Sequence, residues 1–372
     1  MQQTTSSRAL ADRARHLLRD NWTYLLVLAF LVLFPFLVAA LTGSNPIPAR
    51  ARDAGESSYW QSIMIQLFVF AILAMSYNLM FGFTGVVSFG HALFFGMGAY
   101  TVGIGVKHLS MDFGVAVIAA LAVSALLGLI MGLMSLRIKG VYFAIFTLAF
   151  AQVFFVLSRN RLLAPITGAE DGFFFTVPDW LNPVVANRLT YYYVTLIALV
   201  AVFVFVRRLV NSPTGRVFQG IRENEQRAQT IGYNTLTFKL LAIVIAGMIA
   251  ALAGILHVVL NNKQPLPALL GATYTMDPLL STLLGGTGTF IGPPIGAGVL
   301  YLGEVALRGL EITIGSTVID VGDTWALFLG IGFIVVVMVF PSGIVGTWNQ
   351  WRAKRRGSRS AHAGTSPPAA GD

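Results

Sequence analysis

Two stretches of this 372-residue chain hold polar side chains at spacings that could do chemistry. The first runs Asn78-Leu79-Met80-Phe81-Gly82-Phe83-Thr84-Gly85-Val86-Val87-Ser88-Phe89-Gly90-His91-Ala92. Asn78, Thr84, Ser88 and His91 supply neutral donors and acceptors. Gly82, Gly85 and Gly90 weaken helix within an apolar run and permit close backbone approach. A broken helix that exposes backbone groups and small hydroxyls suits contact with a polar solute in an apolar surround. The alternative is packing, in which small residues let helices meet and Ser or Thr bonds across them. Both readings stand for Asn78, Thr84 and Ser88. For Gly96 and Gly98 the reading is packing, and His91 reads as an interhelical hydrogen-bonder.

The second stretch, residues 215–234, is too charged to span a membrane and too patterned for a linker. Ser212 can cap a helix that has Pro213 at its first position. Phe218, Ile221, Ala228 and Ile231 fall at helical spacing against a charged remainder that includes Arg216, Arg222, Glu223 and Glu225. Such an amphipathic helix lies on a lipid surface or fits the groove of a cytoplasmic partner, with apolar anchors and charged specificity residues. Enzyme chemistry finds no support. There is no cysteine, no phosphate-cradling G-x-x-x-x-G-K-[ST] loop, and no metal-ligand spacing among His16, His91, His108, His257 and His362. Ser88 lies outside any nucleophile-elbow pattern.

The elements that must position these residues follow from composition. The chain is 56% hydrophobic and only 11% charged, which excludes a soluble or a disordered protein. The net charge of +9 raises nucleic acid as a partner, but so small a total charge assigns the excess to cytoplasmic loops instead. Apolar runs long enough to cross a bilayer cover residues 24–41, 63–81, 84–106, 113–134, 141–157, 191–206, 240–260 and 325–340. Residues 276–302 are also apolar but are interrupted by Gly285-Gly286-Thr287-Gly288 and Pro293-Pro294, so they read as a re-entrant pair of half-helices. The expected fold is an all-α polytopic membrane protein of about eight spans plus this broken segment, ten spans being the alternative.

Seventeen of the 25 Lys and Arg lie in four segments: the N-terminal tail, Arg137 with Lys139, residues 207–239, and the C-terminal tail. The positive-inside rule then places both termini in the cytoplasm. This divides the chain into a basic tail (1–23), a transmembrane domain (24–346) carrying the cytoplasmic loop 207–239, and a basic, Ser/Gly/Pro-rich tail (347–372) expected to be disordered. The first apolar run reads as an uncleaved anchor. Asp277 alone among carboxylates lies inside a hydrophobic stretch, so ion-coupled pumping has little to work with and the driving energy must come from elsewhere.

These stretches, taken in order with others, are where the chain resembles a known family. Asn78-Leu79, Gly85-x-x-Ser88-x-Gly90-His91-Ala92 and Gly96-x-Gly98-Ala99-Tyr100 come first. They are followed by Gly140-Val141-Tyr142-Phe143-Ala144, Thr147-Leu148-Ala149-Phe150 and Thr167-Gly168-x-x-Asp171-Gly172. Gly215-Arg216, Ile221-Arg222-Glu223-Asn224-Glu225, Ala228-x-x-x-Gly232, Leu284-Gly285-Gly286-x-Gly288-Thr289 and Pro341-x-Gly343 complete the series. From about residue 61 to residue 346 the chain resembles the LivM-type permease subunits of branched-chain amino acid ABC importers.

The resemblance implies a multi-pass protein of a bacterial inner membrane that pairs with a LivH-like second permease. It also implies two cytoplasmic ATPases, which would carry ATP and Mg with no cofactor on this chain, and an extracytoplasmic substrate-binding protein. It adds Tyr142, Thr147, Thr167 and Asp171 to Asn78, Thr84, Gly85, Ser88, Gly90 and His91 as pathway residues. Arg216, Ile221, Arg222, Glu223, Glu225, Ala228 and Gly232 become the ATPase-coupling set. Gln226-Arg227-Ala228-x-x-x-Gly232 is similar to the EAA-x-x-x-G loop of ABC importers but departs from it at the first two positions. Related permeases serve urea, short amides and aromatic acids, so the substrate within the family stays open. A short internal match of Phe81-Gly82-Phe83-Thr84-Gly85 to Leu284-Gly285-Gly286-Thr287-Gly288 points to paired broken segments and places Thr287 in the pathway set. An ATP-independent channel or facilitator is the rival class, and it would need no docking helix.

Overall fold

Long apolar runs can satisfy their backbone amides only internally once they leave water, and helix is the local solution. The computed structural model describes residues 3–47, 55–135, 138, 140–182, 187–261, 266–308, 311–314, 317–348 and 350–351. Arg137, Lys139 and residues 352–372 of the C-terminal tail lie outside the described residues.

In chain order the helices are α1 (Gln3–Thr42), α2 (Glu56–Thr84), α3 (Ala92–Lys107), α4 (Phe113–Ser135), α5 (Val141–Ser158) and the single turn α6 (Ala164–Thr167). There follow α7 (Arg188–Asn211), α8 (Pro213–Glu223), α9 (Glu225–Thr230), α10 (Thr235–Leu260), α11 (Thr273–Gly285), α12 (Gly292–Arg308) and α13 (Val321–Val339). Between α12 and α13 an antiparallel hairpin pairs β1 (Glu311–Ile314) with β2 (Thr317–Asp320), Glu311 opposite Asp320. Its β-branched residues favour extended backbone, and it is a small addition to the expected all-α fold.

Seven helices among the described residues are long and apolar enough to cross a membrane, one fewer than the sequence reading expects. The difference lies at residues 84–106. α2 continues through Thr84, residues 85–90 are non-helical, and α3 is only 16 residues long. Gly85, at φ 74°, takes the left-handed conformation that ends α2, with its N–H bonded to Phe81 O at 3.0 Å. Residues 276–302 do form two shorter helices, α11 and α12, which pack on each other across a break at 286–291. α1 begins at Gln3, so the stretch assigned to a basic tail is helical.

The chain divides into two units. The first holds Met1–Ile65 and Asp179–Val194. Here Pro35 lies inside α1, where it cannot donate to the carbonyl of Leu31. The Tyr192 hydroxyl donates to that carbonyl at 2.6 Å, and Tyr193 donates to Val32 O at 3.0 Å.

The second unit holds Gln66–Pro178 and Thr195–Asp372. Its centre is the mutual packing of α3, α4 and α10. The close approach of α3 to α10 depends on missing side chains. A Cβ at Gly98 would meet the backbone of Ala251, and one at Gly254 would meet the backbone of Phe95. This is the packing role expected of Gly98. Gly96 packs in the same way against Leu270.

Candidate functional site

Both glycine-rich breaks belong to the second unit, and they meet. Asn78, one and a half turns before the end of α2, donates from Nδ2 to Thr289 O at 2.9 Å and accepts from Gly288 N–H at Oδ1, also at 2.9 Å. One side chain thus pairs with two successive residues of the second break, as a strand neighbour would. The approach is close enough that a Cβ at Gly82 would fall on the Asn78 amide and the Gly288 nitrogen. Phe83 and Phe290 add a ring contact across the two breaks, with centroids 5.6 Å apart. A third segment seals the junction: Gly343, at φ 73°, lies so near Gly286 that a Cβ on it would strike the Gly286 backbone.

The guanidinium of Arg222 joins this junction from α8. It donates through Nη1 to Gly82 O and through Nη2 to Thr287 Oγ1 at 3.3 Å. Gly82 lies among the last four carbonyls of α2, which have no helical donor ahead of them, and Val86 N–H is taken by Met80 O at 3.2 Å. A cation at a helix C-terminus is also favoured by the helix dipole.

Thr84, Ser88 and the Nε2 side of His91 are bonded within the protein, whereas His91 Nδ1 is buried without a hydrogen-bond partner among the described residues. Thr84 Oγ1 donates back to Met80 O. Ser88 Oγ accepts from Gly90 N–H at 3.2 Å, and Tyr77 donates to Ser88 O, also at 3.2 Å. Ser76 Oγ donates to Leu73 O at 2.7 Å, so its contact with His91 Nε2 at 2.7 Å assigns the imidazole proton to Nε2. His91 is fully buried against Tyr77 and Phe94, the interhelical role expected of it. Thr147, from α5, donates to Ala144 O at 2.8 Å and accepts from Phe89 N–H at 3.0 Å. A Cβ at Gly90 would strike the Thr147 carbonyl. α3 has no side-chain cap of its own, and Thr275 of α11 supplies the acceptor for Ala92 N–H at 2.8 Å.

The structure therefore brings together Asn78, Thr84, Gly85, Ser88, Gly90, His91, Thr147 and Thr287. Tyr142, Thr167 and Asp171 lie apart from them. Tyr142 is 74% exposed at the start of α5. Thr167 and Asp171 sit in the turn after α5, where Gly168, Ala169 and Gly172 all have positive φ and Thr167 Oγ1 accepts from Ala169 N–H at 3.2 Å. That motif is a turn former in this structure, with Asp171 exposed at its tip.

The amphipathic stretch is two helices where one was expected. Asn224 has extended backbone (φ −158°, ψ 102°), ends α8, and caps α9 by accepting from Arg227 N–H at 2.9 Å. Ser212 caps α8 as expected, accepting from Gly215 N–H at 3.4 Å with Pro213 at the first position. Gly232, at φ 95°, closes α9 with two bonds, Gly232 N–H to Gln229 O at 3.0 Å and Tyr233 N–H to Ala228 O at 3.1 Å. This is a Schellman stop, and it gives a physical reason for the Ala228-x-x-x-Gly232 spacing.

The apolar anchors point inward. Phe218, Ile221 and Ala228 are 0%, 3% and 5% exposed within this chain. Glu225 faces inward as well, pairing with Lys239 at 2.7 Å and accepting from Thr235 at 3.2 Å. The outer face is left to Arg216, Glu223, Asn224, Arg227, Ile231 and Tyr233, which line a groove of about 730 Å³ in the angle between α8 and α9.

Sequence reasoning missed a second buried polar cluster. Gln66 Nε2 donates to His257 Nδ1 at 2.9 Å and its Oε1 accepts from Asn261 at 3.0 Å, while Tyr274 lies 3.3 Å from His257 Nε2 and stacks on Phe95 at 4.7 Å. Each residue is ordinary on its own helix, so only tertiary contact identifies the group. The bonds from Arg222 to the two breaks left no signal in the sequence either.

Residues 59–338 match the family model described as the branched-chain amino acid transport system / permease component. The chain is 25% identical over 321 residues to the probable branched-chain amino acid transport permease protein LivM of Methanocaldococcus jannaschii, covering 76% of this chain and 92% of that one. It is 26% identical over 306 residues to the high-affinity permease protein LivM of Salmonella typhimurium, covering 74% and 68%. Similarity extends to the LivH permease protein of Escherichia coli, 24% identical over 311 residues and covering 74% and 91%. The match to the family model spans most of the chain and contains both breaks and the α8–α9 loop, so this multi-pass membrane protein belongs to the branched-chain amino acid transport permease family.

Proposed function

We propose that this chain is one of two permease subunits of an ATP-driven importer of branched-chain amino acids, set in a bacterial inner membrane with both termini cytoplasmic. A LivH-like chain is its pair. Two ATPases dock on the cytoplasmic side, and an extracytoplasmic protein delivers substrate. ATP and Mg belong to the ATPases, and this chain carries no catalytic residue.

The observation that carries this reading is the angled α8–α9 unit. Its apolar side is already satisfied within the chain, so the unit is fixed to the protein and has no need of lipid to cover it. What it offers outward is a polar groove fitted to a protein surface, with Arg216, Glu223 and Arg227 as charged specificity residues and Ile231 and Tyr233 as apolar contacts. A facilitator has no use for such a feature. The two breaks, joined at the end of the molecule where α8 is fixed, flank the pathway and close it on that side.

Reversing the charge at Glu223 tests the docking role. Glu223→Arg should abolish ATPase co-purification and ATP-dependent uptake while the chain still inserts. Glu225→Arg should also lower the chain's own stability, because it breaks the Lys239 pair. Uptake that persists in vesicles without ATP or an ATPase overturns the importer reading. Binding of leucine, urea and benzoate by the cognate extracytoplasmic protein identifies the substrate class.

A further inference from the structure

We propose that Arg222 is a positioning residue for transport, the strut through which movement of α8–α9 opens or closes both glycine breaks together. The inference rests on the proposed docking of an ATPase at α8–α9. It adds what the docking surface acts on.

The argument is geometric. Arg222 is the penultimate residue of α8, two positions before the Asn224 bend, so it lies where any tilt of α8 against α9 is felt. Its two terminal nitrogens reach different elements, Gly82 O at the end of α2 and Thr287 Oγ1 in the break between α11 and α12. A planar guanidinium can hold two acceptors in a fixed relation, whereas a lysine ammonium on a flexible stem cannot. The acceptors have few alternatives. Gly82 O is one of the carbonyls a helix end leaves over, and removing its donor leaves a polar group unsatisfied.

The floor on which the strut rests is rigid. Asn78 bonds the first break to Gly288 and Thr289 of the second, and a Cβ at Gly288 would fall on the guanidinium and on Gly82 O. Gly85 packs its backbone along the Arg222 stem, its Cβ position 3.5 Å from Arg222 Cγ. A tilt of α8 therefore acts directly on the Gly85 backbone and on the two acceptors held by the guanidinium. The groove and the Arg222 guanidinium are two ends of one lever: Glu223 and Arg227 on the docking side, Arg222 bonded to the breaks.

Arg222→Lys, Arg222→Gln and Thr287→Val test this in the full complex of both permeases, the ATPases and the binding protein reconstituted in liposomes. The Lys and Gln variants should assemble with the ATPases yet lower the ratio of substrate imported to ATP hydrolysed by about tenfold, the scale of an ordinary coupling free energy. Thr287→Val, which removes one of the two acceptors, should fall between them and the unaltered protein.

A second readout uses the absence of cysteine from the chain. In Phe83→Cys/Phe290→Cys, which spans the two breaks, oxidative cross-linking should block uptake and reduction should restore it. The rate of cross-linking should depend on nucleotide with Arg222 in place and lose that dependence with Arg222→Lys. An unchanged transport ratio and an unchanged nucleotide dependence in the Lys and Gln variants overturn the strut. Loss of ATPase co-purification in those variants also overturns it, since Arg222 would then be a docking residue. If the complex with Arg222 intact shows no nucleotide dependence at all, it is the importer reading that fails.

Discussion

The proline inside α1 makes a prediction that a double-mutant cycle can decide. Pro35 has no N–H, so the carbonyl of Leu31, four residues earlier, is without its helical donor. In a helix facing hydrocarbon such a group costs several kcal/mol if nothing else reaches it. Tyr192 reaches it at 2.6 Å. Tyr192→Phe removes that donor. Hydrogen bonds between membrane helices average about 0.6 kcal/mol with a ceiling near 1.7 kcal/mol, and a carbonyl with no alternative donor belongs near the ceiling. The expected loss is therefore about 1–2 kcal/mol.

Tyr193 is the internal control. Its acceptor, Val32 O at 3.0 Å, has Phe36 N–H as a partner in helical register, so Tyr193→Phe should cost at most about 0.6 kcal/mol. Pro35→Ala supplies an N–H to Leu31, and in that background Tyr192→Phe should become nearly neutral. The assay is unfolding of the purified protein in mixed micelles, followed by tryptophan fluorescence across the four members of the cycle. Equal losses from Tyr192→Phe with and without Pro35 would refute the reasoning, because the hydroxyl would then serve some acceptor other than the one the proline leaves open.

Two further outcomes follow from backbone geometry. Gly98→Val should lower thermal stability by at least about 1–3 kcal/mol, the usual cost of overpacking, and Ala251→Gly should fail to rescue it, since the atoms in the way are Ala251 backbone; rescue would mean that α3 and α10 are not in van der Waals contact there. At Gly232 a Cβ would meet nothing within 4 Å, so the cost of Gly232→Val is conformational; Gly232→Asn, which tolerates positive φ, should retain more ATPase co-purification than Gly232→Val, and equal loss would exclude a role for the Schellman stop.

How legible these features were depends on whether their cause is local. Ser212-Pro213 acts on its own neighbours and the sequence announces that cap in the right place, whereas Asn224 and Gly232, equally local, break and stop the helix where one continuous helix was expected. The glycine-rich breaks, like the cap, are legible because their cause is local. The expected span at 84–106 fails because hydropathy sums side chains and takes no account of the one left-handed residue, Gly85, that ends α2 inside the window. Periodicity also announces that Phe218 and Ile221 share a face but not what the face meets. A partner's groove and the protein's own interior ask for the same residues, and here the interior has them. The meeting of Asn78 with Gly288 and of Arg222 with Gly82 and Thr287 is a property of tertiary contact alone. No spacing within either stretch encodes it.

That meeting also bears on what the polar residues of the first break can do. Asn78, Thr84, Ser88 and Thr147 are buried and each is already engaged by the protein's own backbone in this conformation. A solute that took the Asn78 amide would have to replace two bonds at once, one to Gly288 and one to Thr289. Leaving either backbone group unpaired costs about 1–3 kcal/mol, so exchange is favourable only if the breaks separate far enough for solute or water to reach both. Separation pulls Gly82 away from Thr287, and Arg222 holds those two acceptors. With Arg222 as the proposed strut, access to Asn78 and displacement of α8 are one event.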